Sequence, residues 1–207
     1  MSLPPPASQP ENQSRRRSLP PSYFDRLYAA SHDPWQFETS PYEAEKYAAT
    51  LAALPRSQYR SGLEIGGSIG VLTEQLAARC QSLLSVDVSD RAQSRAQQRC
   101  QHLPQVKFEL MQVPHQYPLG HRFDLTVVSE VGYYWGWNDF PRAQQQIADH
   151  LETGGHLLLV HWTPLTRDYP LTGDEVHNAF WQQVGTVYKS LVSQRKQRYR
   201  LDLFERL

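Results

Sequence analysis

Gly62-Leu63-Glu64-Ile65-Gly66-Gly67-Ser68-Ile69-Gly70-Val71-Leu72-Thr73 joins an apolar run to a small-residue turn and then to a helical pattern. It reads as strand, tight turn and helix N-terminus. Such a junction turns several backbone N–H groups toward one point. Gly66 and Gly70 permit positive φ and let a ligand lie against bare main chain, so the stretch asks for a nucleotide-like cofactor. The same residues contain Gly66-x-Ser68-x-Gly70, the spelling of a serine-hydrolase elbow, and Ser68, Asp124 and His161 follow in the order such a triad needs. An elbow serine sits behind a strand of a sheet already built, whereas almost nothing sheet-like precedes Gly62. The hydrolase is therefore the second reading.

The next apolar run, Ser82-Leu83-Leu84-Ser85-Val86, ends at Asp87, twenty-one residues beyond Gly66. An acid at the tip of the second strand accepts hydrogen bonds from both ribose hydroxyls of a bound nucleotide. Its bland alternative is a strand-end acid or helix cap. Glu64, two residues before the first glycine, would repel a pyrophosphate and favour a positively charged group. Glu64-x-Gly66-x-Ser68-x-Gly70 resembles motif I of class I S-adenosylmethionine-dependent methyltransferases, with Ser68 where many members carry glycine or alanine.

With 207 residues the chain has room for one core domain, and its 21 basic and 21 acidic residues balance. That balance leaves no electrostatic footprint for nucleic acid or an anionic membrane. Arg15-Arg16-Arg17 and the stretch from Arg195 to Arg200 read as solvated tail and edge strand. No apolar stretch approaches the ~20 residues that span a bilayer, and no signal-like apolar core opens the chain, so a cytoplasmic protein is expected. Cys80 and Cys100 lack companions at metal spacing; free thiols in packing positions are expected, and no metal site.

Residues 1–21 are rich in Pro, Ser, Gln and Arg and predict a disordered tail, leaving 22–207 as one domain. A short helix is expected from Ser22, then a turn at His32-Asp33-Pro34-Trp35. Ser40-Pro41-Tyr42-Glu43 is a capping-box sequence opening a helix to about Leu54. These two cap helices precede the core, and Trp35 either meets the cofactor or packs helix on sheet. Helices follow over Gly70–Arg79 and from Ser89 to about Gln101, with a strand at Val106–Leu110. Gln112, just past that strand, can offer its carbonyl to an adenine amino group.

Phe123–Val128 is a further strand, and the loop after it, Ser129-Glu130-Val131-Gly132-Tyr133-Tyr134-Trp135-Gly136-Trp137, crowds aromatics beside a carboxylate. At a carboxyl strand end these face a ligand crevice; the alternative is a hydrophobic plug. A helix from Asn138 to Leu151, stopped by Gly154-Gly155, leads to a buried strand ending at His161, read as a base for an acceptor or as a loop organiser. A helix over Asp174–Gln183 and an antiparallel pair at Val187–Ser193 and Tyr199–Phe204 close the chain.

His32-Asp33-Pro34-Trp35, Leu63-Glu64-Ile65-Gly66, Val86-Asp87-Val88-Ser89, Ser129-Glu130-Val131-Gly132-Tyr133-Tyr134 and Asp168-Tyr169-Pro170-Leu171-Thr172-Gly173-Asp174-Glu175-Val176-His177 together resemble the nodulation protein S (NodS) family over roughly residues 23–184. The resemblance implies a Rossmann-like α/β fold with a seven-stranded, mostly parallel sheet, an antiparallel C-terminal strand and helices on both faces. It implies an S-adenosylmethionine-dependent N-methyltransferase acting on the free amine of a deacetylated chitooligosaccharide. A different small-molecule hydroxyl or amine is the alternative acceptor, and a nonenzymatic cofactor-binding protein the rival class. Cofactor contacts are expected from Trp35, Glu64, Gly66, Gly67, Ser68, Gly70, Asp87, Val88, Gln112, Val113 and Ser129. Glu130 is expected to anchor the amine, His161 to accept its proton, and Tyr133, Tyr134 and Trp137 to position the sugar.

Overall fold

The computed structural model describes residue 15 and residues 17–207; most of the expected tail lies outside the described residues. Helices α1 (Pro21–Ala30) and α2 (Pro41–Ala52) lead into β1 (Gly62–Ile65), α3 (Val71–Ala77), β2 (Leu83–Asp87), α4 (Asp90–Arg99), β3 (Val106–Leu110) and β4 (Phe123–Ser129). A 3-10 turn (Gly132–Tyr134), α5 (Phe140–His150), β5 (Leu151–Trp162), α6 (Gly173–Trp181), β6 (Tyr188–Arg195) and β7 (Tyr199–Arg206) complete the order.

The seven strands form one sheet in the order β3-β2-β1-β4-β5-β7-β6. β1 pairs in parallel with both β2 and β4, Leu63 facing Leu84 on one side and Thr126 on the other. β7 runs antiparallel to β5 and to β6, as the expected fold requires. Because β2 and β3 continue outward from one side of β1 and β4 from the other, a crevice opens at the carboxyl ends of β1, β2 and β4, where open α/β sheets hold ligands.

Alternate residues along the central strands feed two cores. Val128, Leu157 and Leu159 pack with Phe140 and Ile147 of α5 and Phe180 of α6. Leu125, Val127 and Leu158 pack with Tyr47 of α2 and Leu72 and Leu76 of α3. Both faces of β4 are covered, and every residue of the strand is buried, Asp124, Thr126 and Ser129 included.

Several boundaries follow from local chemistry. Ser40 accepts from the Glu43 N–H and Ser89 from the Ala92 N–H at the starts of α2 and α4. Thr172 and Glu175 form a reciprocal capping box on α6. One expectation fails: Gly154-Gly155 does not end the helix before it. α5 stops at His150, with Leu151 already extended, and Gly154 at φ +75° lies within the irregular first part of β5, where its carbonyl accepts from Arg56. The tail boundary also moves. Residues 17–20 are ordered onto the turn after β4, the Leu19 N–H donating to the Tyr134 carbonyl at 2.9 Å and the Ser18 hydroxyl to Asp139. Cys80 and Cys100 are buried free thiols, and no helix among the described residues is long and apolar enough to cross a membrane.

Candidate active site

A cavity of about 370 Å³ lies at the carboxyl ends of β1, β2 and β4 under α1 and α2. The glycine turn forms its floor. A Cβ on Gly66 would collide with Val131, and one on Gly67 with the Ser85 hydroxyl, so the turn lies pressed onto the neighbouring strand ends. Ser68 takes φ +52°, in the left-handed region that glycine enters at lower cost. Its hydroxyl meets that of Tyr28, which ties α1 to the turn.

Asp87 faces the same space from the tip of β2. Its two oxygens accept from the backbone N–H groups of Ser68 (2.8 Å) and Ser89 (2.9 Å). Burial nevertheless pushes its carboxyl up, against the pull of those amides. Glu64 is 1% exposed and is held by the hydroxyls of Thr73 and Ser85. Burial outweighs these bonds and raises its pKa to about 7. Gln112, Val113, Val88 and Ser129 line the walls, as does Trp35, which stacks on Phe37 at 5.6 Å and meets Tyr28 edge-on.

At the other end stands a buried ionic cluster. Lys46, 1% exposed on α2, reaches Glu43 at 2.8 Å and also Glu130. Its burial alone would lower its pKa, but the attraction of Glu130 and Glu43 wins and raises it. Glu43 is shifted up by desolvation, with Lys46 opposing. The other oxygen of Glu130 accepts from the Tyr133 hydroxyl and from the Trp162 N–H at 2.9 Å. Glu130 itself sits at φ +57°, a backbone state that costs a non-glycine residue about 1–3 kcal/mol. Two carboxylates therefore share one ammonium, beside aromatic walls from Tyr42, Tyr133, Trp162 and Tyr169. Burial pushes the Tyr133 and Tyr134 hydroxyls well above their ordinary range, keeping both protonated.

Thirteen of the sixteen expected site residues line this cavity; Gly70, His161 and Trp137 do not. Gly70, at φ +82°, is the N-cap of α3, and a side chain there would press on the backbone of Ala96; its role is helix packing. Trp137 is 40% exposed and packs on Phe140 outside the cavity. His161 is wholly buried behind the turn, its Nε2 accepting from the Gly132 N–H at 3.0 Å and its Nδ1 meeting His177 at 3.1 Å. Burial, His177 and Lys46 all lower its pKa far below the histidine range. It is no base for a ligand in the cavity. The hydrolase triad fails for the same reason, and Asp124 lies at the opposite end of the sheet, accepting from the Arg60 and Ser61 N–H groups.

Sequence reasoning missed Lys46, Tyr28 and Tyr169. Glu43 was legible only as a capping acid, yet its side chain turns to Lys46 at the next turn of the helix. The i, i+3 spacing of Glu43 and Lys46 was the available signal.

The family model described as "Nodulation protein S (NodS)" matches residues 24–159. Nodulation protein S of Rhizobium tropici is 32% identical over 133 residues, 62% of this chain and 55% of that protein. The protein of the same name from Bradyrhizobium diazoefficiens is 35% identical over 51% of this chain and 50% of its own length. The chain thus spans about half the length of the curated relatives it matches. Among solved structures, N-methyltransferase NodS from Bradyrhizobium japonicum WM9 in complex with S-adenosyl-L-homocysteine superposes with TM-score 0.78 at 26% identity, over 89% of this chain and 97% of that one. With the match running from α1 into β5, across the glycine turn, Asp87 and the Glu130 loop, this chain belongs to the nodulation protein S family.

Proposed function

We propose that the chain is an S-adenosylmethionine-dependent N-methyltransferase whose acceptor is an amine, in the narrowest reading the free amine of an amino sugar or oligosaccharide. The observation that carries the acceptor class is the Glu43–Lys46–Glu130 cluster. Two carboxylates against one buried ammonium leave an excess negative charge in the cavity wall, which favours a group that is cationic or becomes so during reaction.

The residues at the other end fit the cofactor. Gly66 and Gly67 line the cavity with main chain alone, and Asp87 retains lone pairs for ribose hydroxyls beside its two amide bonds. Glu64 would meet the cofactor's ammonium, and Gln112 and Val113, which line the cavity past β3, would flank its purine. When bound, S-adenosylmethionine supplies a methyl group on a cationic sulfur, open to in-line attack. The chain must then hold the acceptor in near-attack geometry and keep its lone pair free. Glu130 anchors the amine and accepts its proton, with the Tyr133 hydroxyl and the Trp162 N–H fixing the carboxylate. Tyr133, Tyr134 and Tyr169 would wall the acceptor, and Trp35 and Tyr28, also in the cavity wall, would exclude water from the cofactor.

The test is methyl transfer measured with S-adenosylmethionine on a deacetylated chitooligosaccharide, its fully N-acetylated counterpart and a panel of hydroxyl acceptors, alongside calorimetry with S-adenosylhomocysteine. Micromolar or tighter binding with transfer only to the free amine is expected. Transfer to hydroxyls alone would move the reading to O-methylation, and absence of binding by folded protein would sink it altogether.

A further inference from the structure

The imidazole behind the site belongs to a buried chain whose protons can be placed. A backbone amide only donates, so the bond from Gly132 makes Nε2 of His161 the unprotonated nitrogen. Its Nδ1–H then donates to Nε2 of His177 at 3.1 Å. The remaining proton of His177 lies on Nδ1 and is given to Asp202 Oδ2 at 2.7 Å. That oxygen also accepts from Trp181 Nε1 (2.9 Å) and forms an ion pair with Arg200, whose Nε lies 2.8 Å away. Gly132, β5, α6 and β7 are thus linked in one direction by three fully buried polar side chains.

Burying three such side chains is costly unless each is satisfied, and apolar residues would fill the space with less risk. Two glycines make the chain possible. A Cβ on Gly132 would stand 2.9 Å from His161 Nε2, and one on Gly173, at the start of α6, 3.1 Å from His161 Cβ. What the chain holds is the turn between Glu130 and Tyr134. Tyr133 follows Gly132 directly, lies edge-on to the His161 ring at 5.4 Å and bonds to Glu130. Trp162, the residue after His161, gives its N–H to the same carboxylate.

We propose that His161, His177 and Asp202 are positioning residues for methyl transfer, holding the Gly132 turn so that Tyr133 and Glu130 stay aimed at the acceptor. This rests on the reading that Glu130 faces the acceptor amine. The chain acts through Gly132 and touches neither ligand.

The experiment compares wild type with His161→Phe, which fills the space but cannot accept from Gly132, and His161→Gln, whose amide oxygen can. S-adenosylhomocysteine affinity, kcat and acceptor KM are measured with deacetylated chitooligosaccharide, and crystal structures with S-adenosylhomocysteine locate the Tyr133 hydroxyl. His161→Phe is expected to bind S-adenosylhomocysteine within about threefold of wild type and to lose tenfold or more in kcat, with Tyr133 displaced from Glu130. His161→Gln is expected to recover most of that loss. Unchanged kcat in His161→Phe, or an unmoved Tyr133, overturns the proposal; so does parallel loss of affinity and kcat in both variants, which marks a purely structural role. If neither variant folds, nitrogen-15 NMR of wild-type His161 decides: Nδ1 protonated and Nε2 bare supports the chain, and the reverse tautomer removes it. Failure of wild type to methylate the amine counts against the function proposed above, while the Tyr133 positions still decide this one.

Discussion

Asp87, proposed to meet a ribose, also braces the amides of Ser68 and Ser89. Asp87→Ala is therefore expected to weaken S-adenosylhomocysteine binding by about 10- to 100-fold or more, each hydrogen bond to a charged group contributing about 1.5–3 kcal/mol; calorimetry checks this. Glu64 carries a pH signature. Its pKa rises from 4.5 in the unfolded chain to about 7 in the fold, so the folded state binds the extra proton between those values. Its contribution to stability is full below pH 4.5 and is lost as pH rises through about 7. Glu64→Gln should flatten this dependence. Without cofactor, the Tm of the variant relative to wild type is expected to be higher at pH 8 than at pH 5; a constant difference would contradict the shift. Both residues were legible in the sequence because local spacing fixes them, each within a residue or two of a strand end. Lys46 and His177 were not, because their partners Glu130 and Asp202 lie 84 and 25 positions away and a one-dimensional pattern carries no sign of the meeting. His161 was located correctly at the end of β5, but the side of the strand end it serves is decided by α6 and β7 packing over it.

Among the elements, α2 depends most on what lies beneath it. Its buried face carries Glu43, Lys46, Tyr47 and Thr50, three of them polar; Thr50 bonds back to the Lys46 carbonyl, and Lys46 takes its partner outside the helix from Glu130. Lys46→Ala leaves two carboxylates buried without a cation, and the expected loss is about 3–5 kcal/mol by urea unfolding. Glu43→Gln should cost less, because Glu130 still pairs the lysine; equal losses would show that the cluster does not act as described. Element existence was legible from the strand, glycine turn and capping signals. The end of α5 was misplaced because Gly154 and Gly155 look like a helix stop, when the positive φ of Gly154 serves the bend into β5. The segment of residues 17–20 looked featureless, yet it is ordered by backbone and hydroxyl bonds to Tyr134, Gly136 and Asp139, a result composition does not encode.

At the scale of the whole molecule, the cavity is closed by α1 and α2 on one side and by strand ends on the other, so a cofactor bound there links both. Saturation with S-adenosylhomocysteine at about 100 times its Kd should add about 2.7 kcal/mol and raise the Tm by roughly 5–10 °C for a domain of this size. Differential scanning fluorimetry across a ligand series measures it, and a Tm independent of ligand would oppose the assignment of the cavity. The seven-stranded, mostly parallel sheet was expected only through family resemblance, and the order of its strands was not foreseen; periodicity alone gave strands, not neighbours. That order has a consequence for synthesis. β7 is made after β6 but lies between β6 and β5, and it carries Asp202, the last link behind the site. A growing chain that has produced everything through β6 holds an open edge on β5 and a strand with no place to pair. The sheet is completed only in this late event, so a chain interrupted before β7 presents an open edge to proteases and chaperones.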